Sequence, residues 1–261
     1  MLTLLLIGLL VGIILGLTGA GGGILAIPAL MFSQGWSVTQ AAPIGLMAVT
    51  SAAIVGAIEG LVRKLVRYKA ALWIAFIGVM VTPLGIQASH ILPARYLTIV
   101  FAMTMLIVAI RLLIPQATQE TQDAYCHMNP DTGRLYWTPK TVIVLGCVGA
   151  LTGFLTGLLG VGGGFVLVPV LRKTTDISIH SIVATSLMVI ALVGSGGIIS
   201  NLLQQHAFLL PIALPFIIAC IIGMFSGRQL IHFFTAQSVQ RIFAIFVIGV
   251  AMLMFYKAFV I

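Results

Sequence analysis

Three stretches of this chain carry no charged side chain: residues 1–58, 141–171 (31 residues) and 177–227 (51 residues). About 20 apolar residues in a helix span a bilayer, so each stretch is long enough for at least one crossing. Of all 261 residues, 61% are hydrophobic and 7% charged, too few polar groups to cover the surface of a soluble domain. An all-α polytopic integral membrane protein is expected.

The same scarcity limits the chemistry. Five acidic residues leave little for a carboxylate metal centre, and Cys126, Cys147 and Cys220 lack CxxC or CxxxC spacing, so neither metal nor cofactor is expected. The net charge of +8 comes from basic residues in short loops rather than along one helix face, which reads as a topology signal and not as nucleic-acid binding. Residues 1–17 have the apolar core of a signal peptide but not its basic start, and are expected to be a retained first segment.

An internal repeat appears at an offset of 141 residues, with 11 identities among the 23 positions from 8 to 30. Gly8, Gly12, Gly16, Gly19, Gly21, Gly22, Gly23 and Pro28 recur as Gly149, Gly153, Gly157, Gly160, Gly162, Gly163, Gly164 and Pro169. Further on, Leu46, Met47 and Gly56 pair with Leu187, Met188 and Gly197. The chain therefore divides into a first repeat, 1–114, a polar linker, 115–140, and a second repeat, 141–261. Apolar segments are expected at 2–32, 41–62, 70–89 and 97–114, then at 141–171, 178–203, 207–227 and 239–260. The first of each set is interrupted by glycines, and the linker carries the turn signal Asn129-Pro130-Asp131-Thr132-Gly133.

Each glycine-interrupted segment could cross once as a long helix or double back as a hairpin. Lys and Arg accumulate on cytoplasmic loops. Single crossings would divide the 13 basic residues 8 to 5, whereas hairpins divide them 11 to 2, leaving only Arg95 and Lys257 outside. The hairpin is expected, which places the linker in the cytosol and both termini outside it. Each half then makes an odd number of net crossings, so the second is inserted upside down. The predicted architecture is two inverted repeats, each a glycine-broken hairpin plus three transmembrane helices, with 8 to 10 membrane segments in all. Secondary transporters are often built this way, with the substrate held where the broken helices meet.

Three consecutive glycines inside an apolar helix cost about 1 kcal/mol each relative to Ala, so helix stability did not place them there. If helices restart at Ile24 and Phe165, their N-termini aim unpaired N–H groups and a positive dipole end at each break, a site for an anion that needs no charged side chain. Gly21, Gly22, Gly23, Gly162, Gly163 and Gly164 are therefore candidate binding positions. Gly8, Gly12 and Gly16, like Gly149, Gly153 and Gly157, follow small-xxx-small spacing and are expected to pack helices closely. Thr18, Thr50, Ser51, Thr185 and Ser186 could donate hydroxyl hydrogen bonds to an oxyanion, or bond only their own helix backbone. Glu59, four residues before Arg63, is either a helix-end ion pair or a proton-coupling group. His90, His180 and His206 fall at segment ends.

The paired glycine signatures, the prolines that follow them, the Ala184-Thr185-Ser186-Leu187 stretch and the two similar halves resemble the TauE/SafE sulfite exporter family. The resemblance covers essentially the whole chain. It implies a cytoplasmic-membrane carrier for sulfite, organosulfonates or related sulfur or carboxylate anions. The implied site elements are Gly21 to Gly23, Gly162 to Gly164, Thr185 and Ser186. The first repeat has Pro43-Ile44-Gly45 where the second has Ala184-Thr185-Ser186.

The expected function is secondary transport of a small anion by alternating access, and not enzymatic catalysis. No Walker A sequence is present to drive it with nucleotide. An anion channel is the nearest alternative. An intramembrane serine protease is weaker, because Val193 stands where the motif around Ser195 needs a glycine. The partners expected are a small anion and the lipid bilayer, with assembly into a homo-oligomer left open.

Overall fold

The computed structural model describes residues 2–19, 22–114, 137–175, 178–203, 210–230 and 236–260. Among these it forms ten helices: α1 (Leu2–Thr18), α2 (Gly22–Gln34), α3 (Val38–Val62), α4 (Tyr68–Ile91), α5 (Ala94–Leu113), α6 (Pro139–Leu159), α7 (Gly164–Thr174), α8 (Ile179–Leu203), α9 (Leu210–Leu230) and α10 (Ala236–Val260). Seven of them are long and apolar enough to cross a membrane: α3, α4, α5, α6, α8, α9 and α10. The chain is a multi-pass helical membrane protein. The turn signal at residues 129–133, Gly21, His206 and Cys126 lie outside the described residues, and α6 already begins at Pro139, within the stretch expected as linker.

Apolar length sets the helices, and local polar chemistry starts several of them. Thr138 caps α6, its Oγ1 accepting from the Thr141 N–H at 3.2 Å, with Pro139 in the first turn where no N–H is needed. At the start of α3, Gln40 Oε1 accepts from the Ser37 N–H at 3.2 Å, so the helix begins at Val38 and runs through Pro43 without ending.

Both glycine-interrupted segments double back. Gly19 (φ +73°) and Gly160 (φ +69°) adopt the left-handed conformation that ends α1 and α6, their N–H groups donating to Leu15 O at 2.7 Å and Thr156 O at 2.8 Å. Past the turn, Gly163 lies against α6, where a Cβ would stand 2.5 Å from the Thr152 carbonyl oxygen. In one continuous helix residues 152 and 163 would be about 16 Å apart. The returning helices are short, with 13 residues in α2 and 11 in α7, too few to span a bilayer as helix.

Small residues then set how the long helices pack. Gly8 and Gly16 of α1 press on α9, where a Cβ would stand 2.8 Å from Phe216 O and 2.6 Å from Met224 O, and Gly12 between them touches Cys220. Gly149, Gly153 and Gly157 of α6 press on Ile74, Gly78 and Thr82 of α4 in the same order. The small-xxx-small expectation holds at all six positions, each helix pair parallel and in backbone contact. Trp73 adds a hydrogen bond between α4 and α6, its Nε1 donating to Val142 O at 3.1 Å.

The contacts between helices come in matched pairs: α1 with α9 and α6 with α4, α3 with α9 and α8 with α4, α2 with α3 and α7 with α8. In addition, α3 packs on α8 and α5 on α10. Leu187 lies 2.9 Å from where a Cβ of Gly56 would be, and Leu46 lies 3.1 Å from that of Gly197. These four positions are the ones the 141-residue offset pairs, and they make α3 and α8 antiparallel. The apolar outer faces of α4, α5, α9 and α10 carry most of the exposed large side chains, while α3, α6 and α8 are the more buried spans.

Candidate functional site

The two glycine breaks meet. A Cβ on Gly23 would stand 2.7 Å from the Val161 carbonyl oxygen of the other break, and Val49 of α3 lies against both Gly23 (3.1 Å) and Gly162 (3.6 Å). Ile190 of α8, the repeat counterpart of Val49, covers Gly162 from the other side at 2.9 Å. Gly22, Gly23, Gly162, Gly163 and Gly164 are all buried, so the backbone at the crossing is closed by side chains in this conformation. Gly162 (φ +77°) and Gly163 (φ +62°) hold left-handed backbone, which explains why glycine and no larger residue stands there.

The candidate hydroxyls separate according to where their single proton goes. Thr18 Oγ1 donates to Ile14 O (2.7 Å) and Ser51 Oγ to Met47 O (2.8 Å), each within its own helix. Ser186 Oγ donates to Val183 O at 2.8 Å and lies 3.4 Å from Gly19 O, which brings this serine of α8 to the first break. A hydroxyl whose proton is committed to a carbonyl must rotate before it can serve an anion. Thr185 differs, because its Oγ1 accepts from the Arg67 N–H at 3.0 Å and keeps its own proton. Thr50, 1% exposed, has no hydrogen-bond partner and faces Gly194.

Glu59 is not only the helix-end partner of Arg63. Its carboxylate accepts from Arg63 at 3.0 Å and, through the other oxygen, from Arg228 of α9 at 2.7 Å. Arg228 NH1 also donates to Gly56 O at 3.2 Å. The Arg63 pair could be read from i,i+4 spacing. The Arg228 pair joins residues distant in sequence, and only the packing of α3 on α9 creates it.

A cavity of about 340 Å³ opens beside the second break, between the start of α3, the end of α4, the end of α6 and the end of α8. Thr39, Gln40, Ser89, His90, Thr156 and Asn201 supply its polar lining, with Ile44, Leu46, Ile86 and Leu97 among the apolar residues. It reaches Gly157 and Gly160 but not the triple glycines themselves. Asn201 is 8% exposed, and its Nδ2 donates to Gly197 O at 2.9 Å. Gln40, His90, Thr156 and Asn201 were not among the expected anion-binding residues. Asn201 had a readable signal, an amide inside the charge-free run 177–227.

Residues 4–254 match the sulfite exporter TauE/SafE family. The chain belongs to this family. Among the relatives of this TauE/SafE chain, one from Xylella fastidiosa (strain 9a5c) is 30% identical over 257 residues, covering 96% of this chain and 93% of the relative. It is named a probable membrane transporter protein. A second, the probable membrane transporter protein YunE of Bacillus subtilis (strain 168), is 27% identical over 78% of each chain. No solved structure matches. The TauE/SafE chain is a membrane transporter and not an enzyme.

Proposed function

We propose that this chain carries a small anion, sulfite, an organosulfonate or a related sulfur or carboxylate anion, across the cytoplasmic membrane by alternating access between two inverted halves. The observation that carries the reading is the crossing of the two glycine breaks at Gly23 and Val161, between the paired helices α3 and α8. Antiparallel packing of these counterparts supports the inversion, since a two-fold axis in the membrane plane reverses each helix it relates. The basic-residue bias supports a cytosolic linker and termini on the opposite side. The anion enters through the cavity at Thr156 and Gly160, and opening of the crossing exposes the N–H groups that start α2 and α7. Helix dipoles supply the positive potential there, with Thr50 and Thr185 contributing free hydroxyl protons.

Glu59 is held by two arginines, which assigns it to structure rather than to proton movement. Coupling then comes from another ion, the membrane potential or the substrate gradient. The test is flux of sulfite, sulfonates and small carboxylates into proteoliposomes, measured against concentration. Saturable flux for one of these anions is expected. Flux that rises linearly without saturation would replace the carrier with a channel, and no flux for any of them would refute the substrate class.

A further inference from the structure

Among the described residues, the two faces of the molecule carry different groups at equivalent positions. The glycine contacts that match α1 on α9 with α6 on α4 set Met224 against Thr82, and one turn further they set Arg228 against Ile86. A Cβ on Gly16 would stand 3.0 Å from the Arg228 nitrogen, and one on Gly157 would stand 2.8 Å from the Ile86 nitrogen. Ile86 lines the open cavity. Arg228, at the equivalent place on the other face, instead reaches across to Glu59 and to Gly56 O. The same exchange holds for the cavity's Asn201, whose counterpart Gly60 lies 2.9 Å from Ala184 when given a Cβ. Where one face has a cavity, the other has an ion pair and close backbone packing.

We propose that Glu59 and Arg228 are the gate of the transport path on the face where α3 ends, closed here while the face where α3 begins is open. The inference rests on the alternating-access reading. The pair joins α3 to α9, the helices whose counterparts, α8 and α4, supply Asn201 and Ile86 to the cavity lining on the other face. Arg228, at 15% side-chain exposure, is withdrawn from solvent, whereas Arg63, at 58%, is an outer partner of the same carboxylate. Opening this face must separate Glu59 from Arg228 and lift Ala184 from Gly60. An anion leaving by that route meets the freed guanidinium, whose planar fork suits an oxyanion.

The test is reaction of Ala184→Cys with a membrane-impermeant maleimide, using the full chain in nanodiscs with Cys126, Cys147 and Cys220 replaced by serine. Ala184 is buried in the closed gate. In Arg228→Gln or Glu59→Gln the labelling rate is expected to rise about tenfold as the open population grows. Arg63→Gln should label as slowly as the parent, and the exchanged pair Glu59→Arg with Arg228→Glu should return to the slow rate. Equal rates in Arg228→Gln and its parent, or no return in the exchanged pair, would overturn the gate. No substrate is needed, so this outcome and the anion-flux outcome are read separately.

Discussion

The backbone of Gly16 in α1 lies so close to Met224 in α9 that a Cβ on the glycine would stand 2.6 Å from the methionine carbonyl oxygen. Membrane helices gain little from hydrophobic contact with one another, because lipid is as apolar as Leu. Close packing at such glycines is therefore a main source of association. Gly16→Leu should push α1 off α9 and destabilise the protein by at least about 2 kcal/mol, the range of overpacking in a tight interface. Gly249→Leu, at an exposed site with nothing within 4 Å, should change stability by less than about 0.5 kcal/mol. Midpoints of thermal unfolding in one detergent compare the two variants directly.

Two left-handed glycines separate backbone strain from lost space. Gly35 has φ +69° with nothing near it, whereas Gly163 has φ +62° and would place a Cβ 2.5 Å from Thr152 O and 2.9 Å from Thr156 Oγ1. Gly35→Ala should cost about 1 kcal/mol from conformation alone. Gly163→Ala should cost that and roughly 1–3 kcal/mol more, because α7 must move away from α6. Equal losses in the two variants would mean that the second break is looser than the structure describes.

What could be read from the chain follows the range of the forces involved. Apolar length and the basic-residue bias are summed over many residues, so the membrane class and the doubling-back of α1–α2 and α6–α7 were legible. The glycines at 8, 12 and 16 were legible as packing positions because helical spacing puts them on one face. Their partners, Phe216, Cys220 and Met224, were not, since nothing local at those residues announces a neighbouring backbone. Glu59 was legible only as far as Arg63, four residues away. Its tie to Arg228, like the cavity between α3, α4, α6 and α8, depends on which helices meet, and the sequence pattern carries that only through the repeat. The hydroxyls show the opposite limit. Their residue type suits an oxyanion, but Thr18 and Ser51 satisfy themselves within one helical turn.

Thr50 offers a test that stability and transport answer differently. A buried hydroxyl without a partner costs folding free energy, so Thr50→Val, close in shape, should leave stability unchanged or raise it by up to about 1 kcal/mol. Its free proton is also one of the few available near the crossing of α3 and α8. Anion flux in proteoliposomes should therefore fall while the unfolding midpoint holds or rises. A variant that loses stability would show that the hydroxyl is already satisfied in the folded protein.

Asn201 decides whether the cavity is part of the path. Its Nδ2 bonds Gly197 O, one turn back on α8, but an amide has a second N–H and a carbonyl that this bond leaves over. Asn201→Leu keeps most of the volume and removes the polar edge of the cavity beside Thr156 and Gly160. Stability should change little, because Gly197 O loses only a bond made within its own helix. Ligand response should change more. An anion that binds only the folded protein raises its stability by about 2.7 kcal/mol at a hundred times its dissociation constant. Wild-type protein with saturating sulfite should therefore unfold at a higher temperature, Asn201→Leu should show a shift less than half as large, and flux should fall with it. An undiminished shift in the variant would remove the cavity from the anion's route and leave the glycine crossing to be reached from elsewhere.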